Sequence, residues 1–95
     1  MVTEIENQII LKENLMKAIR ECREEIANLK EKKAVKRSAS WMEANGTAKE
    51  KEDFVKASVA NYDSEILKYE ADIELYYNQI SVLNDKIELE YLTDE

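Results

Sequence analysis

Residues 55–87 read VKASVANYDSEILKYEADIELYYNQISVLNDKI, and this stretch decides the fold. Apolar or aromatic residues recur in it at steps of four and three, which is the a/d repeat of a coiled coil. The a positions are Val59, Ile66, Ile73, Ile80 and Ile87, and the d positions are Val55, Tyr62, Tyr69, Tyr76 and Leu83. An apolar stripe of this length stabilises a helix only when a second helix covers it. The stretch therefore predicts a long helix with a partner helix.

Composition supports a chain made of long helices. The 95 residues include one glycine and no proline, although chains with many turns normally use both residues. We therefore expect an all-α fold in a single domain over residues 1–95. The net charge is −7 and 37% of the residues are charged, which disfavours non-specific binding to nucleic acid or to an anionic membrane. No apolar run approaches the length of a membrane span. The single cysteine fits a reducing, cytoplasmic setting.

A first helix is predicted over about residues 2–44. Its apolar residues follow strict four-three spacing from Leu15 to Leu29, while Lys12 interrupts the pattern before them. Beyond Leu29 the stripe is expected to weaken and to continue through Val35, Ala39 and Met42.

A chain reversal is predicted at residues 45–47. Asn45-Gly46 is a turn dipeptide, and glycine suits the left-handed backbone that ends many helices. Thr47 and Glu50 match the S/T-x-x-E capping box that begins a helix. The second helix should run over about residues 48–92. The chain then folds back as an antiparallel helical hairpin whose facing residue numbers add up to about 91 or 92.

Apolar residues outside the a/d positions form a second stripe. A pair of helices buries only one face of each helix, which gives little stabilisation for a chain of this length. We expect the second stripe to mediate self-association of two hairpins into a four-helix bundle. There are two alternatives: the second stripe binds a different protein, or its residues are exposed singly and have no function. The predicted self-association residues are Ile10, Leu11, Met16, Leu67, Leu75, Val82 and Leu89.

Charge divides unevenly along the sequence. Residues 28–56 contain eight basic and five acidic residues, for a net charge of +3, and the rest of the chain carries −10. A nucleic-acid-binding interpretation has the basic end contacting phosphates while Trp41 stacks on a base. In the alternative, purely structural interpretation, Trp41 and Phe54 close the end of the hairpin and the charged side chains are solvated. The candidate contact residues of this basic tip are Lys32, Lys33, Lys36, Arg37 and Trp41.

Residues that carry enzyme chemistry are scarce in the sequence. There is no histidine, so the commonest general base and metal ligand is missing. Cys22 falls on the apolar stripe of the first helix, where a free cysteine behaves as a small hydrophobe. The tyrosines at d are expected to pack in the core. We therefore expect no catalytic residue, no cofactor and no metal site.

Two resemblances accompany this interpretation. Residues 43–52, EANGTAKEKE, and the Tyr- and Ile-bearing helix after them resemble small coiled-coil hairpin proteins of bacteriophages and prophages that have no assigned activity. That resemblance implies a cytoplasmic accessory protein, acting by protein contact in phage replication or recombination. Trp41, Gly46 and the Tyr91–Glu95 spacing are similar to features of the WXG100 family of secreted helical hairpins.

The predicted function is thus a non-enzymatic protein–protein interaction by a homodimer whose other partner is unknown. Nucleic-acid binding through the basic tip is the first alternative, and a WXG100-like secreted hairpin is the second. We expect no membrane association.

Overall fold

A computed structural model describes residues 3–93, and its regular structure is entirely helical over that range. The helices are α1 (Glu4–Glu43), α2 (Ala48–Ser58) and α3 (Ala60–Thr93). The all-α prediction is confirmed. The predicted start of the first helix near residue 2 lies outside the described residues.

The start of α1 and the start of α2 both have a threonine cap. Thr3 Oγ1 accepts a hydrogen bond from the Glu6 N–H at 3.1 Å, and Thr47 Oγ1 accepts one from the Glu50 N–H at 3.2 Å. Each cap satisfies an N–H that has no partner within its own helix. The predicted N-cap at Thr47 is therefore present in the structure.

Gly46 lies in the segment that links α1 to α2. Its φ of +107° is the positive value that favours glycine, and no other described residue has a positive φ. A Cβ at this position would also meet the side chain of Glu50. That side chain is flexible and free to move, so the backbone conformation is the stronger constraint.

Where the sequence predicts one helix over about residues 48–92, the structure has two helices separated at Val59. Val59 ends α2 with φ −108° and ψ 3°. The Ser58 hydroxyl donates a hydrogen bond of 2.7 Å to the Val55 carbonyl, and the Tyr62 N–H bonds to the Val59 carbonyl at 3.0 Å. A serine that bonds back to the preceding turn competes with the helical hydrogen-bond pattern, and branched Val59 has low helix propensity. The heptad pattern contains no signal of this break, because Val59 stays buried.

The chain divides into two compact units, which are described separately. The first unit comprises residues 1–22 and 71–95, hence the early part of α1 and the late part of α3. Its buried apolar residues are Ile19, Cys22, Ile80 and Leu83. The Gln8 side chain joins the two helices by donating a hydrogen bond of 3.1 Å from Nε2 to Glu90 Oε1.

The second unit comprises residues 23–70. Its buried apolar residues are Leu29, Ala44, Val59 and Ile66. Ser40 is buried with them and is only 2% exposed. An ion pair of 2.5 Å between Lys33 Nζ and Asp63 Oδ1 joins α1 to α3.

All ten residues predicted at a and d in residues 55–87 are buried or half-buried. The prediction for α1 is less accurate beyond Leu29. There Val35, Ala39 and Met42 are exposed, whereas Lys33 is half-buried. Strict four-three counting from Leu29 reaches Lys33, Lys36 and Ser40. Lys33 and Ser40 are inward polar residues that an apolar search skips, whereas Lys36 is exposed.

Replacing Gly46 with alanine should lower the free energy of unfolding by about 1–2 kcal/mol, because a side chain disfavours the left-handed backbone. Urea unfolding followed by circular dichroism measures the change. Asn45→Ala, at a neighbour with negative φ, should have little effect. If Gly46→Ala is harmless once Glu50 is also alanine, side-chain crowding and not the backbone explains the glycine.

Candidate protein-interaction surfaces

An apolar groove lies on the surface of the first unit. We call it the Leu11–Val82 groove; its volume is about 430 Å³. Leu11 and Val82 are 50% and 54% exposed, while Leu15 is half-buried and Leu83 buried. The groove thus joins solvent-exposed apolar side chains to the core beneath them. The lining residues are Leu11, Leu15, Asn78, Gln79, Val82, Leu83 and Lys86.

Four amide side chains neighbour Leu11 and Val82, together with the charged residues Asp85 and Lys86, which follow Val82 by three and four residues. Asn7 and Asn14 lie four residues before and three residues after Leu11, which places them beside it on the helix surface. Asn78 and Gln79 lie four and three residues before Val82.

The other predicted self-association residues are exposed as well. Leu75, Val82 and Leu89 recur every seven residues on α3, so they share one helix face. Ile10 and Met16 are exposed on α1 within the same unit, and Leu67 is exposed in the second unit.

The predicted basic tip divides between two sides of the second unit. Lys33, Arg37 and Trp41 line one groove of about 520 Å³ together with Lys56, Glu52 and Asp63. Lys32 instead lines a separate groove that also contains Glu25 and Glu31. Lys36 is exposed and lines neither groove.

Two local contacts reduce the positive charge and aromatic surface available at the tip. Lys33 is neutralised by its ion pair with Asp63. The Lys51 ammonium lies 5.5 Å from the centre of the Trp41 ring, within range of a cation–π interaction. Trp41 and Phe54 are 46% and 47% exposed, so neither is buried as a plug for the end of the helices.

A further apolar surface at the end of α1 was not predicted as a contact site. We call it the Val35–Met42 stripe, and it consists of Val35, Ala39 and Met42. Val35 is 68% exposed and Met42 86%. Their spacing of four and three places them on one helix face. The sequence signal was present, but the three residues were assigned to the core of the hairpin instead of the surface.

Gln8 was also missed as an inward residue. It is buried, and its Nε2 donates to Glu90 and, at 3.4 Å, to Glu4. Its Oε1 atom is buried without a hydrogen-bond partner among the described residues. The adjacent apolar residue, Ile9, is exposed instead. Counting back from Leu15 in strict four-three steps reaches Lys12 and then Gln8. The spacing alone therefore predicts that residue 8 faces inward, whereas a search for apolar residues passes over it.

Cys22 and the acidic side chains near it were considered as a chemical site. Burial raises the pKa of the Cys22 thiol, and Asp72 and Glu21 raise it further. A raised thiol pKa keeps the unreactive protonated form at neutral pH. Within residues 3–93, no three cysteine or carboxylate side chains come together as metal ligands.

No helix within the described range is both long and apolar enough to cross a membrane.

Comparison with protein-family models, with curated proteins and with solved structures found no match to this chain.

Replacing Gln8 with leucine should raise the free energy of unfolding by about 1 kcal/mol, because the change removes a buried, unsatisfied carbonyl and adds apolar contacts. Glu4 is exposed and Glu90 half-buried, so water replaces the lost hydrogen bonds. Thermal unfolding followed by circular dichroism measures the difference. Gln8→Ala is the size control and should destabilise the fold. A destabilised Gln8→Leu variant would show instead that the bonds to Glu4 and Glu90 outweigh the buried carbonyl.

Proposed function

We propose that this chain is a non-enzymatic protein-interaction module, built as an antiparallel coiled-coil hairpin that self-associates into a four-helix bundle. Two polar contacts support the antiparallel arrangement. Gln8, early in α1, bonds to Glu90, late in α3, whereas Lys33, later in α1, pairs with Asp63, early in α3. This inverted order is the one that antiparallel helices produce.

The Leu11–Val82 groove is the observation that carries the interaction function. Exposed leucine and valine side chains continue into the core there, and Asn78, Gln79 and Lys86 lie beside them. An isolated exposed leucine needs no explanation, but a contiguous apolar surface with a polar rim is typical of a protein-interaction site. Amides both donate and accept hydrogen bonds. The amides of the rim can therefore bond to the same groups on a second copy or to polar groups on another protein.

The setting we propose follows from the resemblance of residues 43–52 to phage and prophage hairpin proteins. In that setting the chain is a cytoplasmic accessory protein that contacts a component of replication or recombination. A WXG100-like secreted hairpin is ranked lower, because Trp41 and Gly46 are five residues apart, farther than a Trp-x-Gly turn allows. The Tyr91–Glu95 spacing ends outside the described residues.

Nucleic-acid binding is the second candidate function, favoured by the shared groove of Lys33, Arg37 and Trp41. A half-exposed indole beside a guanidinium is a suitable platform for a base and a phosphate. Glu52 and Asp63 line the same groove, however, and leave it a net charge of only +1. Nucleic-acid-binding domains are normally clearly basic.

Changing Leu75 and Val82 together to glutamate should convert a dimer to a monomer, because both side chains are exposed on one face of α3. Light scattering at tens of micromolar should give about twice the 11.1 kDa chain mass for the natural protein and the single-chain mass for the variant. Helicity should be retained.

The matched control is Ala27→Glu with Ser64→Glu, which adds the same charge at exposed positions outside the groove. A natural protein that stays at 11.1 kDa would contradict self-association. Loss of helicity in the Leu75/Val82 variant would place those residues in the core.

A labelled single-stranded oligonucleotide separates the two candidate functions. The proposed function predicts binding no tighter than roughly 10⁻⁴ M at physiological salt, as expected of weak non-specific contacts. Fluorescence anisotropy measures it. Lys49→Glu is the matched control, since Lys49 carries the same charge as Arg37 but does not line the groove that contains Trp41. Tight, salt-sensitive binding that is lost in Arg37→Glu and kept in Lys49→Glu would favour nucleic-acid binding over the protein-interaction proposal.

A further inference from the structure

We infer that the second copy docks through the same face of α3 as the first, in an antiparallel, two-fold symmetric contact centred on Val82. This inference rests on the proposed self-association and specifies its surface, direction and register. The contact involves residues of the first unit alone and lies over the Leu11–Val82 groove.

An exposed apolar row on α3 supplies the surface. Leu75, Val82 and Leu89 are each more than half exposed and recur every seven residues. They therefore share one helix face and extend over about 21 Å at about 1.5 Å per residue. A seven-residue repeat drifts by about 20° per repeat around a straight helix, which suits a second helix that crosses at a similar angle. The row is thus arranged to pack along another helix.

The row is symmetric about Val82. Leu75 lies seven residues before Val82, and Leu89 lies seven residues after it. With a two-fold axis at Val82, the numbers of facing residues add up to 164. Val82 then meets the same residue of the second copy, and Leu75 of each copy meets Leu89 of the other. Moving the axis by half a repeat pairs Val82 with one of these leucines and leaves the other leucine unpaired.

The polar residues along the row are complementary in the same register. Asn78 and Gln79 lie four and three residues before Val82, and they are exposed. The axis places Gln79 opposite Asp85 of the second copy. It places Asn78 opposite Lys86 of the second copy. An amide can donate to a carboxylate and accept from an ammonium group, so each polar pair can form a hydrogen bond.

The opposite direction of packing lacks this complementarity. Two parallel α3 helices in register would bring Asp85 against Asp85 and Lys86 against Lys86. Like charges that face each other across an interface are unfavourable. The polar residues therefore favour the antiparallel contact, as the spacing of the apolar row does.

Disulfide trapping tests the register. Single cysteines are introduced as Val82→Cys, Leu75→Cys or Leu89→Cys in a Cys22→Ala background, with oxidised glutathione as the oxidant that is reduced when a disulfide forms. Val82→Cys alone should form a covalent dimer, because a disulfide requires two Cα atoms within about 7 Å. Leu75→Cys and Leu89→Cys should form one only when they are mixed. Non-reducing gel electrophoresis measures the covalent dimer.

Two further cysteine variants distinguish other contacts. Ala27→Cys is the matched control at an exposed site outside the row and should stay a single chain. Equal cross-linking of Ala27→Cys and Val82→Cys would reject a contact centred on Val82. Cross-linking of Met42→Cys with none at Val82 would place the second copy on the Val35–Met42 stripe instead. A mixture of Val82→Cys and Leu89→Cys that cross-links better than Val82→Cys alone would show a shifted axis and overturn the register.

Two amide replacements give a second readout that needs no cysteine. Gln79→Glu and Asn78→Asp each change an amide to a carboxylate of nearly the same size. Gln79→Glu faces Asp85, so the dissociation constant of the dimer should rise several-fold, whereas Asn78→Asp faces Lys86 and should lower it. Sedimentation equilibrium measures both values. Equal changes in the two variants would reject the register, because a change of net charge alone affects both alike.

The natural protein separates failure of this contact from failure of self-association. A protein that is monomeric at tens of micromolar would refute the proposed self-association itself. A dimer of the natural protein, together with no cross-link in Val82→Cys, would refute only the contact centred on Val82. Circular dichroism should show equal helicity in all variants.

Discussion

A long apolar stripe does not stabilise an isolated helix in water, so a second surface must cover the stripe. The rest of the structure depends on this constraint. The ten residues at a and d between Val55 and Ile87 are all buried or half-buried. In the proposed hairpin α1 covers them, and α1 contributes Ile19, Cys22 and Leu29 as buried residues.

α1 has apolar residues at strict four-three spacing from Leu15 to Leu29, and polar residues take inward positions on both sides of that region. Gln8 takes an inward position near the start of α1, and Lys33 and Ser40 take inward positions near its end. Polar residues at such positions contribute less burial than leucine, but they restrict which residues can face them. The polar contacts of Gln8 with Glu90 and of Lys33 with Asp63 then favour one alignment of the helices.

The sequence was sufficient to predict features that repeat or that depend on a local signal. The helical class, the a/d residues of α3 and the N-cap at Thr47 follow from periodicity and from one short motif. Three features were not predicted. The break at Val59 arises from the Ser58 back-bond within an unbroken apolar pattern. Gln8 and the outward Val35–Met42 stripe were misassigned because residue type was given more weight than spacing. The exposure of Leu11 and Val82 was predicted, but their continuity with Leu15 and Leu83 in one groove required coordinates.

The one-residue interruption at Val59 has a consequence for motion. α2 has eleven residues and none of them is buried, and helices shorter than about 12 residues are marginal without tertiary support. Val59 links the backbone hydrogen bonds of the two helices, because it donates to the Val55 carbonyl at 3.3 Å and accepts from the Tyr62 and Asp63 N–H groups. Transient opening of α2 should therefore break the bond to Val55 and leave the backbone amides of α3 protected. Local unfolding should be confined to the eleven residues after the turn, as in other segments with few buried contacts.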